Sequence, residues 1–132
     1  MSKTKICPDC KRELDFSFFY RRNGSRSKEV ISKCKDCHRE YYRLATIKRK
    51  QDIVNMYGGK CECCGDTNIE FLTIDHIHSN GYIERKRIYG REFYKELLSL
   101  GSKREDLRLL CMNCNFSIAK YGYCPHIKKG IV

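Results

Sequence analysis

Four Cys-x-x-Cys turns constrain this chain more than any other feature. They are Cys7-Pro-Asp-Cys10, Cys34-Lys-Asp-Cys37, Cys61-Glu-Cys-Cys64 and Cys111-Met-Asn-Cys114, and they hold nine of its ten cysteines. Each turn presents two sulfurs along one edge of a tetrahedron, so two turns together close a four-sulfur zinc site. The opening Met1-Ser-Lys-Thr-Lys-Ile has no secretory pattern, and no apolar run is long enough to span a membrane. Paired knuckles outside a secretory context point to metal rather than disulfides. The expectation is an intracellular, cytoplasmic protein with no membrane partner.

The need for metal staples also follows from composition. Charged residues make up 33% of the 132 residues, which leaves few apolar side chains for a core. Small cores of this kind are usually held by metals or disulfides. The expected fold class is a small α+β protein, zinc-stabilised, as one domain or one domain with an appended module. The charge is uneven along the chain. Residues 1 to 50 hold 15 Lys and Arg against 6 Asp and Glu, while residues 51 to 132 hold 12 against 10, which together give the net +11. A basic face that attracts phosphates is therefore expected mainly on the N-terminal part.

Taken in order, the chain divides into three expected parts. Residues 1 to 38 form a four-cysteine zinc module with ligands Cys7, Cys10, Cys34 and Cys37. The 23 residues between its knuckles exceed the usual spacing, but the pattern survives. Phe16, Phe18, Phe19 and Tyr20 read as its core, Asn23-Gly24 as a turn in a basic loop, and the module as strand-poor. His38 could stand in for a ligand, although four cysteines already suffice. Residues 39 to 57 form a basic linking helix, with Tyr41, Leu44, Ala45, Ile53, Val54 and Tyr57 at helical spacing and Gly58-Gly59 as its stop. Lys48 and Arg49 on its polar side are candidate DNA contacts; a merely solvated face is the competing reading.

Residues 58 to 132 form the third part, with a second zinc site from Cys61, Cys64, Cys111 and Cys114. Cys63 is then spare, and its exchange for Cys61 stays open. Gly65 follows the knuckle because glycine tolerates positive φ and lets backbone approach sulfur closely. The 46 residues between these knuckles carry the chemistry. Phe71-Leu-Thr-Ile-Asp-His-Ile77 reads as a strand ending in an Asp-His pair, and Leu107 to Cys111 as a second strand. Asn115 opens a short helix to Lys120. A neutral imidazole can take a proton from water, and a carboxylate with an amide carbonyl suits a hard cation such as Mg²⁺. Alone, an Asp-His pair at a strand end is more often ordinary structure. Arg85, Lys86, Arg87 and Lys120 are candidate phosphate contacts, and Arg91 to Leu100 reads as a helix. Cys124 reads as a packed thiol, and the sequence assigns no role to His126.

Asp75-His76 followed by Leu-x-x-Leu-Cys-x-x-Cys-Asn115 resembles the HNH family of ββα-metal endonucleases. The later Lys120, Gly122 and Cys124-Pro-His126 resemble a phage-associated branch, and the N-terminal knuckles resemble the leader of recombination-endonuclease-like proteins. The resemblance spans residues 58 to 126, and the knuckles extend it to most of the chain. It implies a ββα core, His76 as the general base, and Asp75 and Asn115 as ligands of a catalytic Mg²⁺ or Mn²⁺, beside two structural zincs. It implies DNA as partner, a bacterial or phage setting, and a homodimer if both strands are cut. One departure stands out: the family's asparagine ahead of the second strand is Asp106 here, so bracing of the base falls to Asp106 or to Asn80. The competing function is a zinc-containing DNA-binding accessory that has lost catalysis.

Overall fold

The computed structural model describes residues 3–23, 26 and 28–128, and it is a small α+β protein built from short antiparallel strand pairs. It divides into two compact units, Met1–Thr46 and Ile47–Val132. The division falls inside one helix, α1 (Lys35–Met56), which runs unbroken through the residues expected to form a linker. Asp36 in the first turn of α1 complements the helix dipole, and Asp36–Arg39, Glu40–Arg43 and Lys48–Asp52 pairs line its surface. Gly58 and Gly59, at φ of 93° and 75°, end it by turning their N–H groups back to the Asn55 and Val54 carbonyls. Among the described residues, no helix is long and apolar enough to cross a membrane.

The first unit has more strand than its sequence suggests. β1 (Thr4–Ile6) pairs with β2 (Glu13–Asp15), and β3 (Phe19–Arg21) pairs with β4 (Val30–Cys34). The alternation signal fails because the strands are three to five residues long, and the β1–β2 turn is a metal-type knuckle. Phe19, Cys7 and Cys34 form the buried centre. Phe18 and Tyr20, expected in that core, are exposed; Tyr20 packs edge-on against His38 with ring centroids 5.1 Å apart. Asn23 takes a φ of 56°, as a turn residue would, while Gly24 lies outside the described residues.

The second unit is centred on β5 (Leu72–His76) paired antiparallel with β6 (Leu107–Cys111), Leu72 opposite Cys111 and His76 opposite Leu107. Between them lie α2 (Gly81–Arg87) and α3 (Gly90–Ser99), and after them α4 (Met112–Tyr121) and a short α5 (Pro125–Lys128). The basic run Glu84 to Arg87, to which the sequence assigns no conformation, is helical. α3 buries Leu97 and presents Phe93 and Tyr94 to the same core. Five of the thirteen buried core residues are cysteines, so much of this core consists of small thiols that leave gaps unless something ties them.

Candidate functional site

Both units use one construction to gather sulfur. In the first, the Cys7–Cys10 knuckle forms the β1–β2 turn, closed by Lys11 N–H to the Cys7 carbonyl at 2.9 Å. Cys34 ends β4 and Cys37 lies in the first turn of α1. In the second, Gly65 N–H closes the knuckle onto the Cys61 carbonyl at 2.9 Å, while Cys111 ends β6 and Cys114 lies in the first turn of α4. Gly65 takes a φ of 78°; Lys11 holds the matching position at 60° without the freedom of a glycine.

The donor atoms of Cys7, Cys10, Cys34 and Cys37 lie within 4.8 Å of one another, and so do those of Cys61, Cys64, Cys111 and Cys114. Cys10 and Cys34 sulfurs are 3.9 Å apart and Cys64 and Cys111 sulfurs 3.7 Å apart. A disulfide needs about 2.05 Å. The edge of a tetrahedron with Zn–S bonds of about 2.3 Å is about 3.8 Å. Both clusters thus fit a metal ion such as zinc, and neither is a pair of disulfides. Backbone N–H groups aim at the same sulfurs, Cys34 at Cys7 at 3.4 Å and Cys114 at Cys111 at 3.5 Å. Several of these thiols are moved from the ordinary thiol value by their surroundings. The Cys34 N–H pulls Cys7 down to about 6, whereas contact with the Cys34 thiol and then burial push Cys37 up to about 12. Burial, then the neighbouring thiols, pushes Cys114 up. Sulfurs this crowded cannot all ionise without a cation among them.

Three residues that looked spare in sequence are not dispersed. Cys63, Cys124 and His126 converge on Cys114, and their donor atoms also lie within 4.8 Å of one another. Sequence spacing hides this because Cys124-Pro-His126 follows a left-handed cap at Gly122 (φ 77°), after which the chain turns back towards the start of α4.

At the far end of β5, Asp75 and His76 take different partners. Asp75 accepts from Arg108 Nε at 2.8 Å, directly across the sheet. His76 Nε2 lies 2.6 Å from Glu84 Oε2, both side chains largely buried. Glu84 also receives Arg104 at 2.5 Å, and Arg104 forks onto Asp106 at 3.0 and 2.5 Å. Arg104 first, then His76, holds the Glu84 carboxyl below its usual value against the opposing effect of burial. Arg104 likewise depresses Asp106. An ionised carboxylate only accepts, so His76 Nε2 carries the hydrogen and, in the neutral ring, Nδ1 carries the lone pair. Nδ1 faces buried Gly81, where an added Cβ would stand 2.7 Å away. Phe93 stacks on the imidazole at 6.0 Å.

Glu84 is the residue that sequence reading missed, since it stands at the head of a basic run. Its one signal was being a carboxylate eight residues after the histidine. Asp106, not Asn80, reaches this network: its carboxylate binds Arg104 and its carbonyl receives Ile77 N–H at 3.0 Å. The Asn80 side chain makes no bond to the helix it precedes. Asn115, half-buried on α4, has no side-chain hydrogen-bond partner among the described residues. It lies three residues before Ile118 and therefore on the same side of the helix. Ile118 and Arg108 line one cavity of about 430 Å³, but neither Asn115 nor Asp75 lines it. No hydrogen bond joins Asn115 to Asp75.

The expected phosphate contacts divide into two groups. Arg87 is not open: it binds Glu96 through both nitrogens, at 2.8 and 3.1 Å, and reaches Glu84 at 3.4 Å. Lys48 pairs with Asp52 at 3.3 Å. Lys120 lies 5.4 Å from the ring centres of both Phe116 and Tyr121. Arg49, Arg85 and Lys86 have no ion-pair partner among the described residues. The first unit adds an open groove of about 870 Å³ lined by Lys3, Phe19, Tyr20, Lys28 and Lys35. Comparison of the chain with protein-family models, with curated proteins and with solved structures returns no match.

Proposed function

We propose that the second unit is a divalent-metal-dependent DNA endonuclease of the HNH, ββα-metal kind, and that the two knuckle clusters are structural zinc sites. The observation that carries the reading is the Glu84–His76 pair beside Gly81. In its neutral form His76 is a largely buried imidazole of fixed tautomer, whose Nδ1 packs against Gly81 and makes no hydrogen bond among the described residues. In this reading His76 accepts the proton of the attacking water. Glu84 holds the ring in place and is itself held by Arg104, which Asp106 anchors. Asp75 and Asn115 are the oxygen donors for Mg²⁺ or Mn²⁺. That donor set suits a hard cation, because one carboxylate and one amide leave positions for phosphate and water. The bound ion would neutralise charge on the phosphate and the leaving oxygen. Asp75 keeps one oxygen without an Arg108 bond, and Arg108 itself carries donors suited to phosphate.

Adjacent residues at a strand end point to opposite faces, so a phosphate lying across the tip of β5 is within reach of both. Within the second unit, Arg49, Arg85 and Lys86 would contact the DNA backbone; the groove of the first unit, taken by itself, offers Lys3, Lys28 and Lys35 to phosphates. Nicking of supercoiled plasmid that requires Mg²⁺ or Mn²⁺ and stops with a chelator tests the reading. A specific observation favours the alternative, a DNA-binding accessory without catalysis: one oxygen of Asp75 is already bonded to Arg108. In that case plasmid would be retarded in a gel and never cut.

A further inference from the structure

We propose that the second unit holds a two-zinc centre in which the Cys114 thiolate bridges both ions. One ion takes Cys61, Cys64, Cys111 and Cys114, and the other takes Cys63, Cys114, Cys124 and His126. Two tetrahedral ions need eight donor positions, and seven residues converge here. Seven supply eight when one of them is shared, and Cys114 is the residue common to both groups.

The distances in the second group are those of a coordination shell. Cys124 and Cys114 sulfurs are 3.5 Å apart, and His126 Nδ1 lies 3.2 Å from the Cys124 sulfur and 3.4 Å from the Cys114 sulfur. Tetrahedral edges at Zn–S of about 2.3 Å and Zn–N of about 2.0 Å come to about 3.8 and 3.5 Å. The bland alternative is three thiols packed as small apolar side chains. It accounts for burial of Cys63, Cys114 and Cys124, at 8%, 1% and 1% exposure. In it a thiol S–H can donate to Nδ1, but the single ring lone pair serves one such bond, whereas Nδ1 lies within 3.4 Å of two sulfurs. Soft sulfur with imidazole selects zinc or a similar ion over Mg²⁺. Charge does not oppose the second ion. With one ion the four ligand thiolates leave a net −2 and Cys63 and Cys124 keep their protons; with two ions six thiolates leave the same net −2, so a second ion adds no uncompensated charge. The second ion would tie the segment after α4 to the first turn of that helix, next to Asn115.

The test is zinc content per folded full-length chain. The wild type should carry three ions, one in the first unit and two in the second. His126→Ala and Cys124→Ser should each lose one equivalent, and His126→Cys, which restores a donor, should keep three. A wild type with two zincs, or a His126→Ala protein that retains three, overturns the proposal. Cadmium-113 NMR of the substituted wild type decides the matter if the variants do not fold. Three resonances are expected, two of them split by mutual coupling through the shared sulfur. Two resonances, or three without that coupling, contradict the bridge.

Discussion

The imidazole of His76 is placed by a chain of charges: Asp106 fixes Arg104, Arg104 fixes Glu84, and Glu84 fixes the ring. The end of this chain was legible in sequence, because Asp75-His76 at a strand end is a compact signal. Its middle was not, since Glu84 meets His76 only after α2 folds back, and a helix over Gly81–Arg87 has no apolar periodicity to announce it. The depressed Glu84 carboxyl has a consequence for stability. The folded chain binds fewer protons there than the unfolded chain. The contribution is therefore complete above the ordinary carboxylate value and is lost as pH falls through the lower folded value. Glu84→Gln should melt below wild type at neutral pH, and the gap should narrow as pH drops from about 5 to about 3. Thermal melts across that range check it; a gap independent of pH would mean that Glu84 is not stabilised as an anion.

At the level of elements, α2 begins where it does because Gly81 lets the helix start against the imidazole. Alanine would normally favour a helix by about 1 kcal/mol. Here its Cβ would fall within 3.2 Å of three ring atoms, so the ring must leave its place beside Glu84. Gly81→Ala should keep the fold and lower cleavage by about 10²-fold, the usual cost of misplacing a reacting group by about an ångström. Rates on plasmid, with hydrogen exchange as the folding control, check both halves. The strand-to-helix knuckles make a second prediction at this scale. A structural zinc contributes on the order of 10 kcal/mol to folding, comparable with the whole stability of a domain. Cys111→Ser removes a donor at the β6–α4 junction, so the amides of β5 and β6 should lose exchange protection while those of β1 to β4 keep theirs. The knuckles were legible because spacing alone encodes them. The strands of the first unit were not, since pairs of three to five residues carry no alternation that rises above loop sequence.

The molecule as a whole redistributes the charge that sequence blocks suggested. With the units meeting after Thr46, the first holds 12 Lys and Arg against 6 Asp and Glu, a net of +6, and the second 15 against 10, a net of +5. Lys48, Arg49 and Lys50 travel with the second unit, so it is far from neutral. Removal of residues 1 to 46 should therefore weaken DNA binding and flatten its salt dependence, by roughly 0.9 in log–log slope per lost phosphate contact, without abolishing it. A salt titration by anisotropy on one duplex measures this; an unchanged slope would place the whole DNA-binding face in residues 47 to 132. The charge blocks do not follow the two units because composition marks no boundary inside a continuous helix. Cleavage by this site requires His76 as its base, and the most direct test is single-turnover cleavage of supercoiled plasmid in Mg²⁺ by wild type and His76→Ala at equal DNA occupancy. The expected result is metal-dependent cleavage by wild type and a loss of about 10²–10⁴-fold in the variant, with DNA affinity and zinc content unchanged. Wild type that binds plasmid without cutting it, or a variant that cuts at the wild-type rate, would contradict the account.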